Sequence, residues 1–394
     1  MAEQNVSYSI KQSDGSYKEL RMKAYDLNGH GTDNGPNSVL LSGRKEGTTI
    51  GKHSTAEGYY TTASGNYSHA EGNGTQASGN YASHAEGLST TASGNYASHA
   101  EGLSTQASGD TSHAEGCYTT ASSDSSHAEG YYTTASGYAS HAEGDHAQAN
   151  TYASHAQGKY NKALAGDPST YSATADAMVI GNGANATDGA SNCFRITFDG
   201  NVYGLSSYHS SGADYSEFFE WQDENPSAED RVGHFVTLDG EKIRYANDGD
   251  YIVGIVSGAP AIIGDHPSES WSERWVKDVF GRIQYHTVDV PDRTETVTKP
   301  DGTTETVVVQ KAHQEIQPIQ NPDYDPTKEA DYLNREKRPE WATVGMLGKL
   351  VVIDDGTCEV NGYCKPTNGT ATKSDTGYRV LARLDETHIK VLMK

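Results

Sequence analysis

Two carboxylates, Asp214 and Glu217, stand three residues apart in the segment Gly-Ala-Asp-Tyr-Ser-Glu-Phe-Phe-Glu-Trp. Two carboxyl groups that interact push their pKa values apart, so that one serves as the acid and the other as the base. One group then activates water or polarises an amide, while the other protonates the leaving nitrogen. These residue types are therefore compatible with peptide hydrolysis.

The spacing leaves the local structure open. Asp214 and Glu217 share one face only in a helical turn, whereas on a strand they lie on opposite faces. Asp-x-x-Glu before an apolar run is also typical of a helix-capping box, in which these side chains bind backbone N–H groups. Catalysis and capping can coexist, and the residues alone do not choose between them.

A second set of polar residues recurs with a fixed period between Gly51 and Gly158. Seven histidines follow one another at steps of 15, 15, 14, 14, 14 and 14 residues, each within Ser-His-Ala-Glu-Gly or a close variant. Glutamates stacked about 4.8 Å apart repel by roughly 3.5 kcal/mol at an effective dielectric near 20, so they need donors. We expect the histidines to supply these donors between chains and to fix the register of the chains. The predicted ladder comprises His69, Glu71, His84, Glu86, His99, Glu101, His113, Glu115, His127, Glu129, His141, Glu143 and His155.

Two other interpretations of the His/Glu pattern stay open. Repeated His and Glu side chains also bind adventitious cations. A polar face of this kind can also be solvated and carry no further role. The prediction assigns no resident metal and no cofactor.

The period predicts a coil of β-strands, since apolar residues do not recur three and four apart as in a helix. Two five-residue strands and two tight turns of two residues use fourteen residues. Alternation turns Ala, Ser, Thr and Gly inward and His and Glu outward. The longer steps gain their extra residue at a corner, as in Asn80-Tyr81-Ala82. Because so small a core cannot offset the ordering entropy alone, we expect another surface to cover the His/Glu face.

The pattern resembles the head domain of trimeric autotransporter adhesins, a left-handed parallel β-roll. There the corresponding segment reads Ser-Val-Ala-Ile-Gly, with Val and Ile at the three-fold interface. His and Glu occupy those two places here, and Val179-Ile180-Gly181 restores the apolar version. The resemblance implies a mainly β fold in which residues 46–181 form the left-handed β-roll of a homotrimer.

A separate globular domain is expected from about residue 210, where apolar content rises and tryptophan appears. Three strings, Gly212–Trp221, Gly249–Gly258 and Asn361–Pro366, resemble the peptidase G2 domain of bacteriophage tail spikes and appendages, an intramolecular-chaperone autoproteolytic domain. The resemblance implies a β-rich domain with a minor helical part. The predicted elements are strands at Val232–Leu238, Tyr251–Val256 and Leu350–Ile353, helices at Ser270–Phe280 and Lys328–Lys337, and a polar hairpin at Thr294–Val309.

In that family the chain is cut just before the Asp of the Asp-x-x-Glu element. The resemblance therefore implies a scissile bond between Ala213 and Asp214. It also implies that Asp214 and Glu217 are the working carboxylates. The activity implied is a single-turnover self-cleavage.

Composition argues against other classes of protein. Acidic residues outnumber basic ones by 53 to 30, and the net charge of −23 opposes binding to nucleic acid. No apolar run is long enough for a membrane-spanning helix, so no membrane insertion is expected. The N-terminus lacks the basic start and apolar stretch of a secretory signal, which favours a virion component over a secreted adhesin. The four cysteines lack metal-binding spacing, and a disulfide between Cys358 and Cys364 is left open.

We therefore expect four segments. They are an attachment segment at 1–45, the β-roll at 46–181, a β-rich connector at 182–209 and the chaperone domain at 210–394. The expected protein is a homotrimeric spike or fibre of a phage or prophage tail, made in the bacterial cytoplasm and joined to other virion tail proteins. Its C-terminal domain promotes trimerisation and is then released, because a long interchain coil folds slowly without a nucleus.

The alternative is a non-cleaving trimeric surface adhesin or glycan-binding protein, in which the C-terminal domain is a permanent cap. Four tyrosines motivate it, because each stands three residues before a ladder histidine and could stack on host cell-surface glycans. Packing of these rings along the coil is the competing interpretation. The tyrosines are Tyr81, Tyr96, Tyr138 and Tyr152.

Overall fold

The computed structural model describes residues 5–11, 17–23, 39–40, 48, 50–185, 189–265, 274–298, 303–331 and 333–394. These residues form two compact units. The first unit is Met1–Ser207 with Tyr285–Pro318, and the second is Tyr208–Gln284 with Ile319–Lys394. Among the described residues no helix is long and apolar enough to cross a membrane. The four-segment division expected from the sequence stays a prediction.

The first unit is built on a parallel β-solenoid of about eight turns. Each turn adds a five-residue strand to a twelve-stranded sheet and a two-residue strand to a seven-stranded sheet. The strands are β1 (Asn5–Lys11), β2 (Tyr17–Lys23), β3 (Val39–Leu40), β4 (Thr55–Tyr59), β5 (Thr62–Ala63), β6 (His69–Asn73), β7 (Gln76–Ala77), β8 (His84–Leu88), β9 (Thr91–Ala92), β10 (His99–Leu103), β11 (Gln106–Ala107), β12 (His113–Cys117), β13 (Thr120–Ala121), β14 (His127–Tyr131), β15 (Thr134–Ala135), β16 (His141–Asp145), β17 (Gln148–Ala149), β18 (His155–Lys159), β19 (Asp176–Asn182), β20 (Asn192–Thr197) and β21 (Val202–Gly204).

Alanine fills the interior of the solenoid. Ala70 and Ala100 are fully buried, as are the equivalent alanines of the other turns. Each buried methyl group contributes roughly 0.8 kcal/mol. At the corner, the Ser68 hydroxyl donates a hydrogen bond of 2.7 Å to the Gly65 carbonyl. The predicted core of small residues is therefore confirmed, while the left-handed sense of the coil stays a prediction.

The second strand of each turn has two residues instead of the five predicted. The cause is a sharp bend just before it. Gly87 has a φ of +105° and Ser89 a φ of +59°, both in the left-handed region. A Cβ atom on Gly87 would lie 2.3 Å from the carbonyl oxygen of Gly102, so only glycine fits.

The predicted insertion at a corner is confirmed. In a fifteen-residue turn both Tyr81 and Ala82 are left-handed, whereas the fourteen-residue turn at Thr111 has one such residue. The neighbouring corner positions hold the register through side chains, since the Asn66 N–H donates to Asn80 Oδ1 at 3.1 Å. The same contact recurs in the next turns. The extra residue therefore bulges outward without shifting the strands.

The remaining elements lie after residue 207. They are β22 (Asp214–Glu220), β23 (Phe235–Asp239), β24 (Lys242–Tyr245), β25 (Ile252–Val256), β26 (Ile262–Gly264), β27 (Tyr285–Val290), β28 (Arg293–Thr298), β29 (Thr304–Gln310), β30 (His313–Pro318), two 3₁₀-helices (Pro326–Asp331 and Arg335–Lys337), β31 (Trp341–Ile353), β32 (Tyr363–Thr367), β33 (Thr370–Ser374), β34 (Tyr378–Arg383) and β35 (His388–Met393).

Strands β27–β30 belong to the first unit. β28 pairs antiparallel with β29 and β27 with β30, which confirms both strands of the predicted polar hairpin. The predicted turn, Pro300-Asp301-Gly302, lies outside the described residues. Gln310 Nε2 donates a hydrogen bond of 3.3 Å to the Tyr152 hydroxyl, so the hairpin contacts the solenoid of its own chain.

The second unit is a mainly antiparallel β-structure. The strand order is β24-β23-β25-β31-β35-β34-β32-β33, and β22 pairs with β31 and β26. One buried cluster surrounds Phe235 and Val352, and another surrounds Trp221 and Val344. The long strand β31 links the two clusters, because it supplies side chains to both.

The three strands predicted for this unit are confirmed with shifted ends, as β23, β25 and part of β31. The two predicted helices are wrong, and the described residues contain no α-helix. Arg274–Phe280, the described part of Ser270–Phe280, consists of isolated bridges and a turn, with Trp275 bridged to Gln320. Lys328–Lys337 carries parts of the two 3₁₀-helices. In Arg274–Phe280, the bridge between Trp275 and Gln320 takes the place of the helical contacts that the spacing of the apolar residues indicated.

Cys358 and Cys364 are buried free thiols in the core of the second unit. Burial raises the pKa of both thiols, that of Cys364 to about 12. Both therefore stay neutral and pack as small apolar groups. The disulfide that the sequence left open does not form between them.

Candidate functional site

Strand β22 fixes the surroundings of Asp214. The strand pairs antiparallel with β31, and alternate side chains along its first half are buried. Asp214 is 6% exposed and Ser216 is fully buried on the same face. The Ser216 hydroxyl donates a hydrogen bond of 2.8 Å to Asp214 Oδ2. The carboxylate is thus held in one orientation.

Glu217 lies on the opposite face of β22. Its Oε1 accepts a hydrogen bond of 2.6 Å from the Tyr215 hydroxyl, and this bond raises the pKa of Tyr215. The structure does not bring Asp214 and Glu217 together within one chain, because three steps along a strand reverse the side-chain direction. The helix-capping interpretation is wrong, since both residues belong to a strand.

The bond between Ala213 and Asp214 borders an open cleft of about 410 Å³, whose wall includes Lys349 and Lys390. The Lys349 backbone N–H donates a hydrogen bond of 3.2 Å to the Ala213 carbonyl. The Ala261 N–H donates one of 2.8 Å to the carbonyl of Asp214. The peptide bond before Asp214 is therefore held on both sides and lies where water can enter.

The predicted ladder histidines form a continuous stack on one face of the solenoid. Neighbouring imidazole centroids lie 4.6–4.8 Å apart, with ring planes within 1–8° of parallel. Glutamates flank the stack, and contacting Nε2 and carboxylate oxygen atoms lie 3.3–3.9 Å apart. The glutamates are in register from turn to turn, as Glu101 pairs with Glu115.

Most of these His–Glu contacts are too long for good hydrogen bonds. Six histidines have a covered Nε2 atom with no hydrogen-bond partner in this chain. The side chains themselves stay about one-third exposed. One chain therefore leaves the polar pairing of the face incomplete. The six are His84, His99, His113, His127, His141 and His155.

The pKa values alternate along the glutamate column. The pKa of Glu101 is raised to about 7, chiefly by side-chain hydrogen bonds with Glu86 and Glu115. The same bonds lower the pKa of Glu86 and of Glu115. Burial lowers the pKa of His84 and His99. Near neutral pH the imidazoles of His84 and His99 are thus neutral, and Glu101 shares protons with its neighbouring glutamates.

Groups of these residues could also hold a metal ion. Glu57, His69 and Glu71 offer three ligand atoms within 4.8 Å of one another, and similar groups recur along the column. Nitrogen and oxygen donors of this kind suit Zn²⁺ and related cations. The groups are half-exposed, however, and protein-bound structural zinc has four closely held ligands. The assignment of no resident metal stays a prediction.

Tyrosine rings stack at the corners of the solenoid, with centroids 5.2 Å apart in each pair. The four tyrosines do not form one column, because Asp110 and Asp124 stand three residues before the histidines of the two intervening turns. The rings form two separate pairs, Tyr81 with Tyr96 and Tyr138 with Tyr152.

A further aromatic column was not recognised from the sequence. Tyr118, Tyr132, His146 and Tyr160 stack with centroids 4.3–4.9 Å apart. Each ring follows the glycine of its repeat by two residues. The fourteen-residue period therefore contained the signal, although the residue types vary.

A β-solenoid followed by a β-domain with an Asp-x-x-Glu element on one of its strands defines a class of two-part β-proteins, and the candidate site lies in the second part. The family whose model matches residues 163–388 is described as Peptidase_G2, IMC autoproteolytic cleavage domain. The match covers more than half of the chain, so this protein belongs to that family.

Curated relatives include the pre-neck appendage protein of Bacillus phage B103, 33% identical over 165 residues, which are 42% of this chain and 16% of the relative. The putative phage-related protein YobO of Bacillus subtilis (strain 168) is 34% identical over 168 residues, 43% of this chain and 18% of the relative. The chain spans about a sixth of the length of these relatives.

Two solved structures from bacteriophage phi29 are also similar. The pre-mature gene product 12 has a TM-score of 0.45 and 22% identity, over 86% of this chain and 39% of that chain. The C-terminal fragment of gene product 12 has a TM-score of 0.32 and 29% identity, over 46% of this chain and 100% of that chain.

Proposed function

We propose that this protein is a structural appendage component of a phage or prophage virion that cuts its own chain between Ala213 and Asp214. Membership in the autoproteolytic family carries the proposal. Similarity to pre-neck appendage proteins of Bacillus phages supports the virion role. The buried, oriented Asp214 beside an open cleft supports the choice of bond.

Asp214 is the better supported of the two carboxylates. Its side chain lies next to the bond to be cut, where it can take a proton from water or give one to the leaving nitrogen. Glu217 faces away from Asp214 and is hydrogen-bonded to Tyr215. A role for Glu217 in the reaction therefore needs a contact beyond this single chain.

Intact-mass analysis of freshly expressed full-length chains tests the cleavage. Wild type is expected to yield a fragment that begins at Asp214, whereas Asp214→Asn yields only full-length chains. Glu217→Gln shows whether the second carboxylate takes part. Glu241→Gln, a change at an exposed position, is the control and should cleave as wild type does. Intact wild-type chains would make the second unit a permanent cap.

The proposed assembly is a homotrimer joined through the His/Glu face. The covered Nε2 atoms without partners and the proton-sharing glutamates support it, because neighbouring chains can supply the missing hydrogen bonds. The second unit then acts as the nucleus that brings three chains together before the solenoids pair. Such a nucleus speeds assembly, since interchain β-pairing is slow.

Native mass spectrometry tests the trimer. Wild type should be trimeric, and the triple change His84→Ala, His99→Ala and His113→Ala should yield monomers. The change Tyr118→Ala with Tyr132→Ala removes stacked rings outside the His/Glu face and should leave the trimer intact. A monomeric wild type, or a trimer that survives loss of the three histidines, would contradict the proposal.

A second candidate function is glycan binding by a non-cleaving adhesin. The stacked rings of Tyr81, which is exposed, and Tyr96, which is partly buried, favour it, because aromatic faces bind sugar rings. Glycan-array binding by the full chain that disappears in Tyr81→Ala with Tyr96→Ala would support this function. An array without binding would leave the tyrosines a packing role.

A further inference from the structure

The pairing register between β22 and β31 shifts close to the candidate cleavage bond. Asp214 pairs with Gly348 and Tyr215 with Leu347, but Ser216 pairs with Gly345. β31 therefore carries one extra residue at this point, a β-bulge two residues beyond the bond. Bulges of this kind re-aim backbone groups and are frequent beside active sites.

Gly348 lies directly against the bond. Its φ is +124°, and an added Cβ would lie 2.1 Å from the Ala213 carbonyl oxygen and 2.8 Å from the Asp214 Cα. Real Cβ atoms do not approach other atoms so closely, and L side chains rarely adopt this φ. Glycine at this position lets the backbone of β31 touch the carbonyl that would be attacked.

The next residue supplies a donor to the same carbonyl. The Lys349 N–H donates a hydrogen bond of 3.2 Å to the Ala213 oxygen. Lys349 and both residues of the bond line the cleft, so water approaching the carbonyl carbon meets an already polarised group. Backbone donors fixed in this way stabilise the negative oxygen that develops when an amide is attacked.

We propose that Gly348 and the Lys349 N–H form a backbone cradle that holds and polarises the Ala213 carbonyl for self-cleavage; this inference depends on the self-cleavage proposed above. The oxygen of water bonds to the carbonyl carbon, and the carbonyl electron pair moves to the oxygen that the Lys349 N–H contacts. Asp214 takes the proton of water and returns it to the leaving nitrogen. The C–N bond breaks, which leaves a carboxyl group on Ala213 and an amine on Asp214. Gly348 is a positioning residue in this step.

Gly348→Ala in the full-length chain tests the cradle, with cleavage followed by intact mass over time. Loss of an oxyanion donor typically slows a reaction about 10²–10³-fold, and a loss near 10²-fold is expected here. Gly356→Ala is the matched control, because Gly356 also has a left-handed φ of +87° but an added Cβ meets nothing within 4 Å. The control should cleave within about twofold of wild type. The pH–rate profile of Gly348→Ala should keep the wild-type shape, since the carboxylates are unchanged.

A second variant covers the case in which Gly348→Ala fails to fold, which circular dichroism detects. The α-hydroxy-acid analogue of lysine at position 349 replaces the N–H by an ester oxygen and adds no bulk. It should slow cleavage as Gly348→Ala does. Cleavage of folded variants at the wild-type rate, or a changed profile shape, would overturn the cradle alone. Wild-type chains that stay intact would overturn the proposed self-cleavage and the cradle with it.

Discussion

The hydroxyl of Ser216 lies 2.8 Å from Asp214 Oδ2, and both residues are buried at the start of β22. Alternation along the strand puts the two side chains on one face. The hydrogen bond engages one oxygen of the carboxylate and fixes the plane of the group beside the cleft. Ser216 is thus the residue that orients Asp214.

Ser216→Ala should slow self-cleavage and destabilise the second unit by about 1–3 kcal/mol, because a buried carboxylate loses its donor. Mass spectrometry over time measures the first effect and urea unfolding the second. Ser227→Ala, at an exposed position, should change neither. An unaltered cleavage rate in Ser216→Ala would mean that the hydroxyl does not orient the carboxylate.

The stability of the solenoid should be greatest near pH 6.5. The pKa of Glu101 is raised from 4.5 to about 7, so its contribution to stability is complete below pH 4.5 and is lost as the pH rises through 7. The pKa of His84 and of His99 is lowered from 6.5, so their contribution is present above pH 6.5 and is lost as the pH falls below it. Thermal melting between pH 5 and 9 should therefore show a maximum near pH 6.5, with little further change from these groups above about pH 7.

Glu101→Gln isolates the contribution of Glu101 to this curve. The amide cannot lose a proton, so the loss of melting temperature that Glu101 contributes as the pH rises from 4.5 to about 7 should be absent from this variant. Gln157 already occupies the equivalent place in the last turn, opposite Glu143. Glu241→Gln is the control. Equal changes of melting temperature between pH 4.5 and 7 in wild type and Glu101→Gln would show that proton sharing along the column does not affect stability.

Ala100→Val should destabilise the first unit by about 1–3 kcal/mol, because the fully buried alanine column has no room for two further methyl groups. Ala163→Val, at an exposed position, should stay within about 0.5 kcal/mol of wild type. Urea unfolding followed by circular dichroism measures both. A neutral Ala100→Val would contradict the close packing of the coil.

Arg231→Lys should destabilise the second unit by about 1–3 kcal/mol. The guanidinium is 7% exposed, binds both oxygens of Asp223 at 2.7 and 2.8 Å, and lies 4.6 Å from the ring centroid of Trp221. Lysine cannot reproduce the bidentate contact with Asp223 or the stacking on Trp221. Arg282→Lys, whose exposed side chain binds Asp278, should cost less than about 0.5 kcal/mol by thermal unfolding. Equal losses in the two variants would contradict the role assigned to burial.

The solenoid could be predicted from sequence because its order is local. The step between histidines indicated the number of residues in one turn of the coil. Alternation around Ala100 indicated which side chains point into the core and which point outward. The length of the second strand could not be predicted in this way. It depends on the bend at Ser89, whose φ is positive, and serine is not a residue type from which a positive φ is predicted.

The candidate site could be predicted in position but not in geometry. Asp-x-x-Glu reads equally as a helix start or a strand, and pairing with Gly348, far along the chain, decides for the strand. The glycine cradle was missed for the same reason. Gly348 belongs to no recognisable sequence motif. Its proposed role follows from its contact with the Ala213 carbonyl, which only the folded structure shows.

Each turn of the solenoid presents the same edge above and below. His99 meets His113, and Ala100 meets Ala114, at a constant ring spacing of 4.6–4.8 Å. Removing or duplicating one fourteen-residue unit therefore rejoins matching edges and creates no foreign surface. Recombination between copies of the repeat therefore changes the length of the solenoid by whole turns. The residue types on each of its faces stay the same.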